Sequence, residues 1–108
     1  MVQQIRAAEL ARRLAGGEPV YLIDVREPWE HQIAALPNSK LLPLKSLQAR
    51  LSEVLPPEGA VVVTYCHHGI RSLSAAALLE HLGIARVYSL AGGIDAWSRE
   101  VDPTLARY

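Results

Sequence analysis

Short apolar, β-rich runs alternate with helix-period patterns from one end of the 108-residue chain to the other, and few architectures accommodate that rhythm. Strands separated by helical stretches pair in parallel, because the chain must cross back over the sheet and a helix makes the crossing. The class read from this rhythm is α/β: a three-layer domain with a mostly parallel sheet of about five strands and helices on both faces. At this length residues 1–108 are expected to form one domain, without a second lobe.

After an extended start near Ile5, Ala7, Leu10, Ala11 and Leu14 share one helical face, and Gly16-Gly17 ends that helix. Val20 to Val25 reads as a buried strand. Pro28 to Ala35 reads as a short helix entered through proline, and Lys40 to Leu44 as a short strand that Pro43 confines to an end or an edge. Leu47, Leu51 and Leu55 recur every fourth residue, so Lys45 to Leu55 is expected to be an amphipathic helix with its leucine stripe in the core. Ala60 to Tyr65, β-branched through its middle, has the pattern of a central strand. Ser72 to Leu82 follows as a helix, with Leu78 and Leu82 on one face and Gly83 as its stop. Arg86 to Leu90 is then the last strand, and Ile94 to Glu100 a final helix with Trp97 in the core; Trp29 fits core or surface.

Lysine and arginine number 11 and aspartate and glutamate 11, without a basic run. That balance argues against a nucleic-acid binder and against a binder of anionic membranes. The first residues, Met1 to Arg6, lack an apolar secretion core, so the expected compartment is the cytoplasm. The chain is expected to act as a monomer. One cysteine, Cys66, rules out an intrachain disulfide. Its thiol is packing, a metal ligand or a nucleophile.

The stretch Tyr65-Cys66-His67-His68-Gly69-Ile70-Arg71-Ser72 joins the central strand to a helix N-terminus. Ligands of open parallel sheets bind beyond the carboxyl ends of the strands. Main-chain N–H groups of such a turn converge on one point and stabilise a negative atom there, and Cys66 offers its sulfur as that atom. A helix N-terminus and a cation favour the ionised thiol, so Cys66 is expected to be a thiolate at neutral pH. Gly69 tolerates positive φ, and Arg71 brings a permanent charge and a planar fork, either for an anion or for an ion pair with Glu27 or another acid. His67 and His68 either raise the local potential or stand on a solvent-facing rim with Ile70. A zinc site from Cys66, His67, His68 and His81 is disfavoured, since adjacent residues seldom hold one ion and His81 lies far along the helix; no metal is expected.

This loop resembles the active-site loop of the rhodanese superfamily, in which a cysteine accepts a sulfane sulfur as a persulfide. Leu22-Ile23-Asp24-Val25-Arg26-Glu27-Pro28-Trp29-Glu30 is similar to that family's early Asp-Val-Arg-Glu signature, and Leu90-Ala91-Gly92-Gly93-Ile94-Asp95-Ala96-Trp97 to its late Gly-Gly signature. Where many members carry Gly-His-Ile-Pro-Gly-Ala, this chain has Ala34-Ala35-Leu36-Pro37-Asn38-Ser39, leaving one local hydrogen bond without its histidine. Phosphatase-like and arsenate-reducing relatives have one residue more between cysteine and arginine, and the shorter ring here suits a single sulfur.

The resemblance implies a sulfurtransferase with Cys66 as nucleophile and His67, His68, Gly69, Ile70, Arg71 and Ser72 around the substrate. Asp24, Arg26 and Glu27 are expected behind them as a buried polar network. No metal or organic cofactor is implied. The donor would be a small molecule such as thiosulfate or a persulfide. Trp97 to Tyr108 is similar to the end of rhodanese domains attached to adenylating enzymes that supply sulfur for molybdopterin or thiamine synthesis, which implies a thiol or carrier protein as acceptor. A non-catalytic, partner-binding module of the same fold is the alternative.

Overall fold

The computed structural model describes residues 2–53 and 55–108. Strands β1 (Gln3–Ile5), β2 (Val20–Asp24), β3 (Lys40–Leu41), β4 (Val61–Tyr65) and β5 (Val87–Leu90) form one sheet in the order β1-β5-β4-β2-β3, parallel at every pairing. Helices α1 (Ala7–Ala15), α2 (Pro28–Ile33), α3 (Leu47–Arg50), α4 (Arg71–His81) and α5 (Gly93–Glu100) complete the α/β domain.

All five residues of β4 are buried, which is why an unbroken apolar run occupies the centre of the sheet. Successive side chains leave a strand on opposite faces. Val61, Val63 and Tyr65 accordingly join a core with Leu10 of α1 and Ile94 and Trp97 of α5, while Val62 and Cys66 join a second core with Leu47 of α3 and Ala75, Ala76 and Leu79 of α4. Two cores, one per face, make the expected three layers. Because β2 and β4 are neighbours with Asp24 opposite Tyr65, the turns that follow them emerge side by side at one end of the sheet.

Several boundaries differ from expectation. The Lys45 to Leu55 helix is instead a 3-10 turn (Leu44–Ser46), the single turn α3 and a second 3-10 turn (Leu51–Glu53). Leu47 is buried but Leu55 is 60% exposed, so the leucine stripe covers the core only at its start; Val54 lies outside the described residues. Leu82 is likewise exposed, because α4 turns Ser72, Ala75, Ala76 and Leu79 inward instead. The strand expected over Lys40 to Leu44 is regular only at Lys40 and Leu41, on the sheet edge where proline is tolerated, although the Leu42 and Leu44 N–H groups still donate to the Asp24 and Val25 carbonyls at 2.8 and 3.0 Å. Helix α2 stops at Ile33, where Ala34 turns to an extended conformation and its carbonyl accepts from Arg26 Nη2 at 2.6 Å. Among the described residues no helix is long and apolar enough to cross a membrane.

Candidate active site

The turn from β4 into α4 curls around the Cys66 sulfur. The N–H of Gly69 donates to Sγ at 3.2 Å and the N–H of Ser72 at 3.3 Å, and Ser72 Oγ lies 3.5 Å away. Cys66 is 1% exposed, yet the amides face its sulfur, so the atom is sunk in a polar cradle and not sealed in hydrocarbon. Ser72 was expected to face substrate; it is fully buried, behind the sulfur, with its hydroxyl 2.7 Å from Ser89 Oγ. The rim is left to His68 and to Ile70, which is 74% exposed.

Glycines shape this cradle by letting another backbone come close. Gly69 has φ of 101°, and Gly93 has φ of 60°. A Cβ on Gly93 would stand 2.4 Å from the Cys66 and His67 carbonyl oxygens, and those oxygens accept from Ile94 N–H at 2.9 Å and Asp95 N–H at 3.1 Å. The Gly92-Gly93 signature is thus a docking point for the cysteine loop on the first turn of α5.

Arg71 presents its fork to Glu30, not to an open anion site and not to Glu27. Nη1 donates to Oε1 at 2.7 Å and Nη2 to Oε2 at 2.9 Å, a bidentate pair. The hydrogen bonds from Arg71 lead the causes that hold the Glu30 carboxyl down at about 2, and Glu30 in turn raises the Arg71 guanidinium, with the nearby Cys66 adding to that rise. Nothing in the local sequence singles out Glu30. It sits three residues after Glu27 and three residues before Ile33, inside a short helix whose pattern gives it no distinguishing mark.

Asp24 and Arg26 form the expected buried pair, both fully enclosed, with Nε to Oδ1 at 2.8 Å and Nη2 to Oδ2 at 2.7 Å. Burial alone would lower the Arg26 guanidinium, but bonds to Asp24 and Tyr108 outweigh it and raise it. Glu27 is the exception within this expected network. Its side chain is half-buried and 3.6 Å from Lys45 Nζ, and Glu27 meets the group through its main chain, its N–H donating to Glu30 Oε1 at 3.0 Å and its carbonyl accepting from the Glu30 N–H at 3.0 Å.

The departing segment closes its own bonds. His31 Nδ1, from α2, donates to Asp24 Oδ2 at 2.7 Å. Asn38 adopts φ of 61°, a conformation asparagine tolerates better than most residues, at the position where the resemblance carries glycine. Ser39 Oγ lies 2.8 Å from Tyr65 Oη, whose ionisation burial pushes up to about 12.

His67 is not a free rim residue. Its ring is stacked between His68 and Tyr108, with centroids 3.9 Å away on each side, and burial followed by the charge of His68 lowers its basicity. Among the described residues the metal-ligand types that gather are His67, His68 and Asp95, with donor atoms within 4.8 Å of one another, and not Cys66 with His81. Both Asp95 oxygens already accept from arginines, Oδ2 from Arg99 and Oδ1 from Arg107, each at 3.1 Å.

Residues 6–100 match the family described as the rhodanese-like domain. The chain belongs to the rhodanese-like family. A sulfurtransferase of Allochromatium vinosum is 41% identical over 106 residues, covering 98% of this chain and 97% of that one. The probable adenylyltransferase/sulfurtransferase MoeZ of Mycobacterium tuberculosis is 32% identical over 104 residues; the chain spans only 26% of its length. The solved rhodanese-like domain protein from Staphylococcus aureus superposes with a TM-score of 0.82 at 28% identity, covering 99% of both chains. At family level, these rhodanese-like relatives support sulfur transfer of the rhodanese type.

Proposed function

We propose that the protein moves a sulfane sulfur from a small donor to a thiophilic acceptor by double displacement at Cys66. The observation that carries this reading is the convergence of the Gly69 and Ser72 amides on a sulfur beside Arg71. Negative charge on this sulfur meets two amide dipoles, and the thiolate form is the nucleophile. It attacks the outer sulfur of a donor such as thiosulfate. A sulfur–sulfur bond forms to Cys66, the donor's own sulfur–sulfur bond breaks, and sulfite leaves with the bonding pair.

The terminal sulfur of the Cys66 persulfide then carries the negative charge, next to the same amides and the Arg71 field, in the manner of an oxyanion hole. Cyanide, a thiol or a carrier protein removes that sulfur and regenerates the thiolate. With Cys66 1% exposed, a donor reaches it past the rim of His68 and Ile70, which favours donors with a protruding sulfur. Four residues between Cys66 and Arg71 make a ring that suits one sulfur rather than a tetrahedral oxyanion.

Incubation with thiosulfate should raise the intact mass by one sulfur, about 32 Da, reversed by cyanide or dithiothreitol and absent in Cys66→Ser. No gain from thiosulfate or from a low-molecular-weight persulfide would leave the partner-binding module as the reading; hydrolysis of a phosphate ester would point to the phosphatase branch.

A further inference from the structure

Tyr108 belongs to none of the three motifs, yet it joins everything around the cysteine loop. Its hydroxyl accepts from Arg26 Nη1 at 2.8 Å and donates to Glu30 Oε2 at 2.8 Å. Its ring lies flat on His67, at an interplanar angle of 9°, and Trp29 meets it edge-on with centroids 6.0 Å apart. One side chain thus touches the buried pair after β2, the carboxylate that grips Arg71, and the residue that follows Cys66. Burial, the leading cause, pushes its hydroxyl up to about 12, so the group keeps its proton at any physiological pH.

We propose that Tyr108 is a positioning residue of the sulfur-transfer reaction, fixing Glu30 and, through Glu30, the Arg71 guanidinium beside the Cys66 loop. The inference rests on the reading above and extends it to a residue outside the motifs. Arg71 is 37% exposed along its side chain, and an ion pair that open to water holds its geometry weakly by itself. The last torsion of a glutamate is also broad, so a carboxylate turns easily unless both oxygens are fastened. Here Oε1 takes Arg71 Nη1 and the Glu27 N–H, while Oε2 takes Arg71 Nη2 and the Tyr108 hydroxyl. Without that hydroxyl one oxygen loses its second donor, and the charge beside Cys66 is no longer held in place before the reaction begins. Preorganised charge is what stabilises an anionic intermediate.

Tyr108→Phe keeps the ring on His67 and removes the hydroxyl alone. In thiosulfate:cyanide transfer its kcat should fall about tenfold with KM within about twofold, short of the loss seen when a direct donor is deleted. Glu30→Gln should fall comparably, and the double variant no further than the worse single one, since both changes act through one contact. Alkylation of Cys66 by iodoacetamide, which needs no sulfur donor, should slow several-fold in Tyr108→Phe; mere loosening of the fold would speed it by exposing the buried sulfur. An unchanged kcat with an unchanged or faster alkylation rate overturns the proposal, as does a double variant whose losses multiply. A wild type that takes up no sulfur sinks the transfer reading instead, and the alkylation rate then decides the role of Tyr108 by itself.

Discussion

Two neighbouring turns leave the same end of the sheet, one after β4 and one after β2, and they handle charge in opposite ways. The β4 turn brings main-chain N–H groups to Cys66, and leaves the side chains of His68 and Ile70 exposed on its rim. The β2 turn is held by side chains: Arg26 on Asp24, and Glu30 gripping Arg71 across the gap. Dipoles stabilise an anion without adding a counter-charge, so the sulfur stays available to react. Paired side chains neutralise each other and make a rigid support. The comparison separates a reactive turn, sensitive to backbone path, from a supporting turn, sensitive to side-chain identity.

Cys66→Ser breaks the reactive turn outright, and sulfur uptake measured by mass should vanish. On the supporting side, Arg26→Met strands the fully buried Asp24 carboxylate, and urea unfolding should report a loss of about 3–5 kcal/mol. Gly93→Ala tests the backbone path. Its Cβ would stand 2.4 Å from two loop carbonyls, so a stability loss of about 1–3 kcal/mol should accompany a collapse of transfer larger than that loss explains.

A smaller effect is set by pH. Glu30 binds its proton less readily folded, at about 2, than at the ordinary 4.5, so its contribution is complete above about pH 5 and drains away as pH falls toward 2. The Tm gap between wild type and Glu30→Gln should therefore narrow over that window; a constant gap would count against the ion pair as its origin. Smallest of all, Ile70→Ala should change stability by no more than about 0.5 kcal/mol, because the side chain is 74% exposed and the cradle is built from amides.

The strand–helix alternation, the central place of Val61 to Tyr65 and the position of Cys66 at its carboxyl end were all legible from residue order. They depend on period and local chemistry: β-branched residues in a run, a glycine in a tight turn, an amphipathic repeat. The Leu47 to Leu55 segment shows the limit. Its fourfold spacing promised one helix with a buried stripe, whereas the segment runs as short turns and Leu55 ends at 60% exposure.

What residue order determined, then, was the layering of the domain and the identity of its one nucleophile candidate, because both follow from neighbours a few positions apart. The partners of that site were decided only by folding. Glu30 stands 41 positions from Arg71 and Tyr108 stands 82 from Arg26, separations over which no local pattern reports. A carboxylate on a short helix and a tyrosine far along the chain look like any others until the parallel sheet brings both to one edge of the cysteine loop. There burial makes each unpaired charge costly, and that cost selects which groups must meet.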